Sequence, residues 1–244
     1  MVFVLVVKES NIGLADGFKS TRKKMRLMSL LLTAIAVIAA LSASAQENGA
    51  TKEFQVDTNA SWLRVLAYPD GALRRFGHHH VIAHREISGV VAVAPNPLAS
   101  TVFLELGVED FEVDNPVLRK LEGEDFEGEI STKDIDGTRA NMLGERLLNA
   151  AQFPVIQVRS IRVEGSMPDV DIIATVTLLG MEYTVEFPAN VQLVDDSFFA
   201  NGRLEITHGE LGLSPFTAAG GALSVRDLIV LKYEISGTLV IGSE

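Results

Sequence analysis

From Phe54 onward the chain alternates apolar and polar residues with a period of two, which commits it to strands with one buried and one wetted face. The last run is the clearest. Ile229, Leu231, Tyr233, Ile235, Leu239 and Ile241 fall on one face, and Lys232, Glu234, Ser236 and Thr238 on the other. Val170, Ile172, Ala174, Val176 and Leu178 repeat the pattern, as do Tyr183, Val185, Phe187, Ala189, Val191 and Leu193, and again Val102, Leu104, Leu106 and Val108. Turn residues stand where hairpins need them, at Pro69-Asp70-Gly71, Gly165 to Asp169, Gly180 and Asp195-Asp196-Ser197. The runs at 54–68, 74–94, 101–110, 127–133, 154–164, 169–179, 182–194, 198–208 and 226–241 predict eight or nine strands. Several are long for a sandwich and suit a closed barrel, which leaves no exposed edge. Trp62, the sole tryptophan, sits among Leu63, Val65 and Leu66 and is expected in the core.

One segment has a different period. Met142, Leu143, Leu147 and Ala150 lie at helical spacing within Arg139 to Ala151, with Thr138 as a cap and Pro154 beyond the end. A single amphipathic helix in an all-β chain is expected to lie across the barrel or plug an opening. A shorter helical turn is expected near Asn115 to Leu121. Gly209 to Val225 reads as a long mobile loop, a kind of segment that often carries function.

The N-terminal residues read as a targeting segment. Lys19, Arg22, Lys23, Lys24 and Arg26 precede an apolar stretch, Ser29 to Leu41, that is shorter than the ~20 residues a membrane-spanning helix needs. The small residues Ala43-Ser44-Ala45 predict cleavage before Gln46. Residues 1–45 are therefore expected to be a secretory signal, with residues 1–24 a start-site artefact if Met25 or Met28 begins the leader. Residues 46–52 are expected to be a disordered lead-in, and 53–244 the barrel domain. Residues 1–45 hold six of the 21 Lys and Arg and two of the 32 Asp and Glu, which leaves 15 cationic against 30 anionic residues, a formal −15. Such a surface repels nucleic acid and anionic membrane faces. With no cysteine, the exported fold rests on its core alone.

Four of the five histidines, His78, His79, His80 and His84, share one short basic stretch with Arg74, Arg75 and Arg85. Two chemistries suit it. His78, His80 and His84 have the common parity of a strand face, on which zinc, nickel or copper is a conceivable guest. Alternatively, Phe76 packs against a hydrocarbon chain while Arg75 or His80 donates hydrogen bonds to its polar head. Against the metal reading, Val81, Ala83, Ile87, Val91 and Val93 claim the inward face of a continuous strand, which turns the three histidines to solvent. His208 shares the parity of Leu204 and Ile206 and is expected to point inward as a core or cavity-wall residue. The inward sets carry no charge, so the barrel is either packed by its own side chains or holds an apolar, elongated guest. No cysteine nucleophile, Gly-x-Ser-x-Gly, phosphate-binding loop or dinucleotide fingerprint is present, and no enzyme activity is expected.

The helix running into Leu147-Leu148-Asn149-Ala150-Ala151-Gln152-Phe153-Pro154-Val155-Ile156, followed by Glu210-Leu211-Gly212-Leu213 before the final strand, resembles the YceI-like family over residues 53–241. The chain departs from the family pattern at Gly77-His78-His79-His80-Val81-Ile82 and at Thr207-His208-Gly209. The resemblance implies a single antiparallel lipocalin-like barrel of about eight strands with one inserted helix. It also implies a polyisoprenoid or similar long-chain amphiphilic lipid as the partner, carried in the barrel without a cofactor. The expected ligand-binding residues are Leu104, Ile172, Val176, Tyr183, Phe187, Leu204 and Tyr233 within the barrel, with Arg75, Phe76 and His80 near its mouth. The expected compartment is the periplasm, with no stable membrane insertion after signal cleavage. A metal-binding or redox-associated protein using His78, His80 and His84 is the alternative. The oligomeric state stays open, a homodimer among the options.

Overall fold

The computed structural model of the protein describes residues 49–240, so the segment expected to be a secretory signal and the inward position expected for Ile241 lie outside the described residues. Among the described residues, fourteen strands and two α-helices follow one another. They are β1 (Lys52–Val56), β2 (Trp62–Ala67), β3 (Pro69–Asp70), β4 (His80–His84), β5 (Ser88–Val93), β6 (Thr101–Gly107) and β7 (Glu112–Val113), then α1 (Pro116–Leu121) and α2 (Thr132–Leu143). After the helices come β8 (Val155–Ser166), β9 (Asp169–Leu178), β10 (Met181–Val194), β11 (Ser197–Thr207), β12 (Thr217–Ala218), β13 (Leu223–Val225) and β14 (Leu228–Leu239). Lys52, expected in the lead-in, pairs with Val93 at the start of β1.

Eight strands close on themselves in the order β1-β5-β6-β8-β9-β10-β11-β14, and Phe54 opposite Leu239 and Val56 opposite Gly237 join β14 back to β1. The twelve residues of β14 serve two partners in series. Gly237 to Leu239 face β1, and Val230 to Glu234 face β2, so β1 and β2 are two halves of one stave broken at 57–61. β4 and β5 likewise form a broken stave, pairing with β2 and β1 respectively, while β6 and β7 pair with β5 and β4. The five later staves, β8 to β11 and β14, are each one continuous strand, with a register shift in β8 between Ser160 and Arg162, and Leu179 (φ 54°) with Gly180 (φ 72°) makes the two-residue turn that joins β9 to β10 with the twist that strands require. The fold is the all-β, antiparallel, eight-stranded closed barrel expected from the alternation.

Several expected elements fall elsewhere. Residues 127–133 form no strand; 127–131 connect the short turn at Glu124–Phe126 to α2, and Thr132 and Lys133 open that helix. The main helix starts seven residues earlier than its apolar spacing suggested, where Ser131 caps it by accepting from the Asp134 N–H, and it ends at Gly144. Beyond it the chain continues in turns, held by Leu148 N–H to Met142 O and Ala150 N–H to Leu143 O. The spacing of Met142, Leu147 and Leu148 is thus real packing that helix and turns share. The short helix α1 lies where expected, with Asn115 accepting from Val117 and Leu118 N–H groups. The loop from Gly209 to Val225 has its own architecture: β12 pairs with β13, and β13 with β3. Trp62 is only half buried. It sits on the outer face with the Arg64 guanidinium 4.3 Å above its ring.

The interior splits into two apolar clusters, one around Phe54, Ile87, Val163 and Phe198, the other around Phe111, Met142, Val185 and Ile206. A third lies outside the barrel. There Leu118 of α1 and Phe126 cover Leu66, Val81, Ala83 and Val230. This outer cluster overturns the parity read for residues 81–93. Ile87, Val91 and Val93 do face the interior, but Val81 and Ala83 face α1, and Ile82 takes the interior side. The chain changes parity in the irregular link at 85–87, a break that alternation alone does not reveal.

Candidate binding site

The barrel interior is not filled. A cavity of about 270 Å³ runs between the two apolar clusters and is lined by 35 side chains, of which only Ser100, His208 and Tyr233 carry hydroxyl or nitrogen groups. Val170, Ile172, Val176 and Leu178 of the single strand β9 all line it, so it follows nine residues of strand, whose eight steps of ~3.3 Å span roughly 26 Å. So small a volume over such a length makes a bore about one hydrocarbon chain wide. Met142, Leu147, Leu148, Leu211 and Leu213 close the end beside α2.

Of the expected barrel residues, Leu104, Ile172, Val176, Phe187 and Tyr233 line this cavity. Tyr183 and Leu204 belong instead to the packed cluster at the α2 end. Tyr233 lies across Gly202, which directly faces it on β11, and donates its hydroxyl to the Pro188 carbonyl on β10 at 2.8 Å. Burial raises the phenol above its ordinary pKa, so it remains a neutral donor.

The basic stretch is not part of the lining. Arg75 stacks its guanidinium 4.6 Å from the exposed Phe76 ring in the short turn Arg74–Phe76. His80 is engaged elsewhere. Its Nδ1 lies 2.6 Å from Asp114 Oδ2, and the fully buried Asp114 also accepts from Arg119 at 2.7 Å and from the Val81 N–H. Burial alone would raise the Asp114 pKa, but the hydrogen bonds from His80, Val81 and Arg119 outweigh it and hold the carboxyl below its usual range. These groups pin α1 to β4.

His84 is wholly buried rather than turned to solvent; its Nε2 donates to the Gly107 carbonyl and its ring meets Phe111 edge-on. Burial lowers its pKa, since a charged ring would be desolvated there. His78 and His80 have ring centroids 6.2 Å apart, but His84 does not join them. Among the described residues no group of three or more His, Asp or Glu side chains is placed to hold a metal.

His208 points inward, as its parity suggested. It lines the α2 end of the cavity, and its Nδ1 donates to the Asp227 carbonyl at 2.8 Å. Of the lining residues missed from the sequence, Ile82 comes from the broken stave and Leu211 and Leu213 from the loop, where no period marked the inward face.

The eight-stranded antiparallel barrel agrees with comparison against known proteins. The model of the YceI-like domain matches residues 54–236. The chain belongs to the YceI-like domain family. Solved structures share the YceI-like fold at low sequence identity. BcnA from Burkholderia cenocepacia superposes with a TM-score of 0.55 at 14% identity, covering 75% of this chain and 99% of its own. A polyisoprenoid binding domain from Saccharophagus degradans, implicated in plant cell wall breakdown, gives 0.53 at 15% identity, covering 77% and 98%. No curated protein matches the chain in sequence.

Proposed function

We propose that this YceI-like protein binds one long-chain amphiphile, a polyisoprenoid or a lipid of similar slenderness, in the barrel cavity and carries it through the periplasm without catalysing a reaction. The observation that supports this most strongly is the bore itself. Protein interiors rarely leave voids much larger than a water molecule. At ~24 cal/mol per Å³, an empty apolar cavity of 270 Å³ would forgo on the order of 6 kcal/mol of packing. A guest chain recovers that loss, and burying a few hundred Å² of hydrocarbon at ~25 cal/mol per Å² supplies several kcal/mol. The volume lies just under the ~300–1,000 Å³ usual for small-molecule pockets, which favours a single thin chain. The polyisoprenoid-binding relative in the same fold lends support to the choice of ligand.

Periplasmic location is part of the same proposal and draws on the cationic, apolar and small-residue order of residues 19–45. A chain lying along this bore would set its hydrocarbon against apolar side chains in place of water, as an aqueous carrier requires. The test is native mass spectrometry of protein purified from its own host, before and after organic extraction. The expected result is a single extractable lipid per polypeptide. A bare polypeptide mass, with no uptake of added isoprenoid, would overturn the proposal.

A further inference from the structure

The cavity wall offers nothing to a polar head, because no polar atom of the lining reaches the cavity surface. A hydroxyl or phosphate drawn into the bore would give up its water and find no partner, an unfavourable exchange. The head of a bound amphiphile therefore stays outside, and the two ends of the bore decide where. Met167 is the only lining side chain that is exposed, at 39%, while the other lining residues are buried or half-buried. It lies in the turn between β8 and β9. The next turn, Leu179-Gly180, stands at the opposite end of β9, where a Cβ on Gly180 would sit 3.0 Å from the Phe153 ring in the turns that follow α2. Met167 thus marks a mouth at the end away from α2. At the α2 end Met142, 5% exposed and in the last turn of the helix, lines the floor of the bore beside Leu148 and Leu213. The basic stretch is at that end too, since His80 opposes Ala67 and β3 pairs with β13 of the loop. Arg75 and His80 are thereby placed at the end opposite the mouth.

We propose that the bore selects its guest by chain length and not by head group: the lipid enters tail first past Met167, its head remains in water at that mouth, and Met142 is the stop that its tail meets. This rests on the carrier reading above and adds to it the orientation of the guest and the residue that sets its length. A chain shorter than the bore can slide along the apolar wall without loss. A chain longer than the bore leaves its surplus outside, where it gains nothing.

The test measures dissociation constants of delipidated wild type, Met142→Trp and Met142→Ala for prenols of rising length, from geraniol through farnesol and geranylgeraniol to solanesol. Each buried CH₂ is worth about fourfold in affinity, so each isoprene unit that enters the bore should tighten binding on the order of a hundredfold. In the wild type that gain should vanish before solanesol. Met142→Trp raises the floor, should bring the level-off to a shorter prenol and should cut the gain from farnesol to geranylgeraniol by at least ~10-fold. Farnesol affinity should stay unchanged, which a merely structural effect of the substitution would not allow. Met142→Ala lowers the floor and should move the level-off to a longer prenol. Farnesyl methyl ether should bind as farnesol does, and a photoreactive diazirine at the tail end of farnesol should label the Met142 or Leu213 segment of the wild type.

Affinity that climbs without limit to solanesol, or a level-off that neither substitution moves, would overturn the role of Met142 while leaving the carrier reading in place. Binding of no prenol at all would overturn both. Tail-end labelling of the Met167 turn would reverse the orientation, and farnesyl phosphate or farnesol binding ~10-fold more tightly than the ether would reveal a head-group site; either result would overturn the proposal. Should Met142→Trp fail to fold, the wild-type series, the labelling and Met142→Ala still decide.

Discussion

Tyr233 lines the cavity because Gly202 has no side chain. A Cβ on Gly202 would sit 2.1 Å from the Pro188 carbonyl oxygen and 2.5 Å from the Tyr233 hydroxyl, so the ring can cross the strand only over a glycine. Gly202→Ala should break the Tyr233 to Pro188 hydrogen bond and push the ring into the bore. The expected outcome is a loss of lipid capacity, read as a drop in bound lipid per polypeptide. Unchanged loading would show that the ring does not limit the space. Residues of this kind were legible in the sequence wherever alternation ran unbroken: Ile172, Val176, Phe187 and Tyr233 all sit on the inward side their parity assigned. His80 and His84 were not. Their stave changes parity in the link at 85–87, and what they touch, Asp114 and Gly107, comes from residues more than twenty positions away.

The elements outside the barrel wall show how charge can do what apolar spacing cannot announce. Glu122, just past α1, has its side chain almost fully buried between Arg64 of β2 and Lys232 of β14. Burial would raise its pKa, but the hydrogen bonds from Lys232 and Arg64 prevail and lower it. Asp114 at the other end of α1 is lowered in the same sense. Both carboxyls therefore titrate lower in the folded than in the unfolded chain. Their contribution to stability is present above their ordinary values of 3.8 and 4.5 and is lost as pH falls through the folded values. Urea midpoints should hold from neutral pH down to about 5 and fall below about 4. Glu122→Gln should lower the midpoint at neutral pH and flatten that acid slope; an unchanged slope would show that the pair does not hold α1 down. For α2, Ser131→Ala removes the cap and should cost ~1 kcal/mol, a fall of about 2–4 °C in Tm. That helix was half legible. Its apolar residues marked where it packs, but its first turns, Thr132-Lys133-Asp134, are polar and face solvent, so their helical period left no hydrophobic trace.

Taken together, the eight staves make a closed wall whose middle is open. Closure was readable from the number and length of the alternating runs. The open bore was not, since the same Val, Ile and Leu side chains that line a cavity can also fill one, and only their placement in space separates the two. An empty apolar bore is a debt against stability that a bound chain settles, so lipid removal should lower Tm. Saturation at about 100 Kd stabilises by ~2.7 kcal/mol, or roughly 5–10 °C for a domain of this size. For export, N-terminal sequencing of protein recovered from the periplasm should begin at Gln46, and a retained leader would contradict the cleavage site. The most direct test of the open bore is calorimetric titration of delipidated wild type and Val176→Trp with geranylgeraniol. The wild type should take up one molecule per polypeptide with a negative heat-capacity change, and the variant, whose indole fills the bore, should take up none. Equal binding by both proteins would place the lipid on the outside of the barrel and contradict the carrier mechanism.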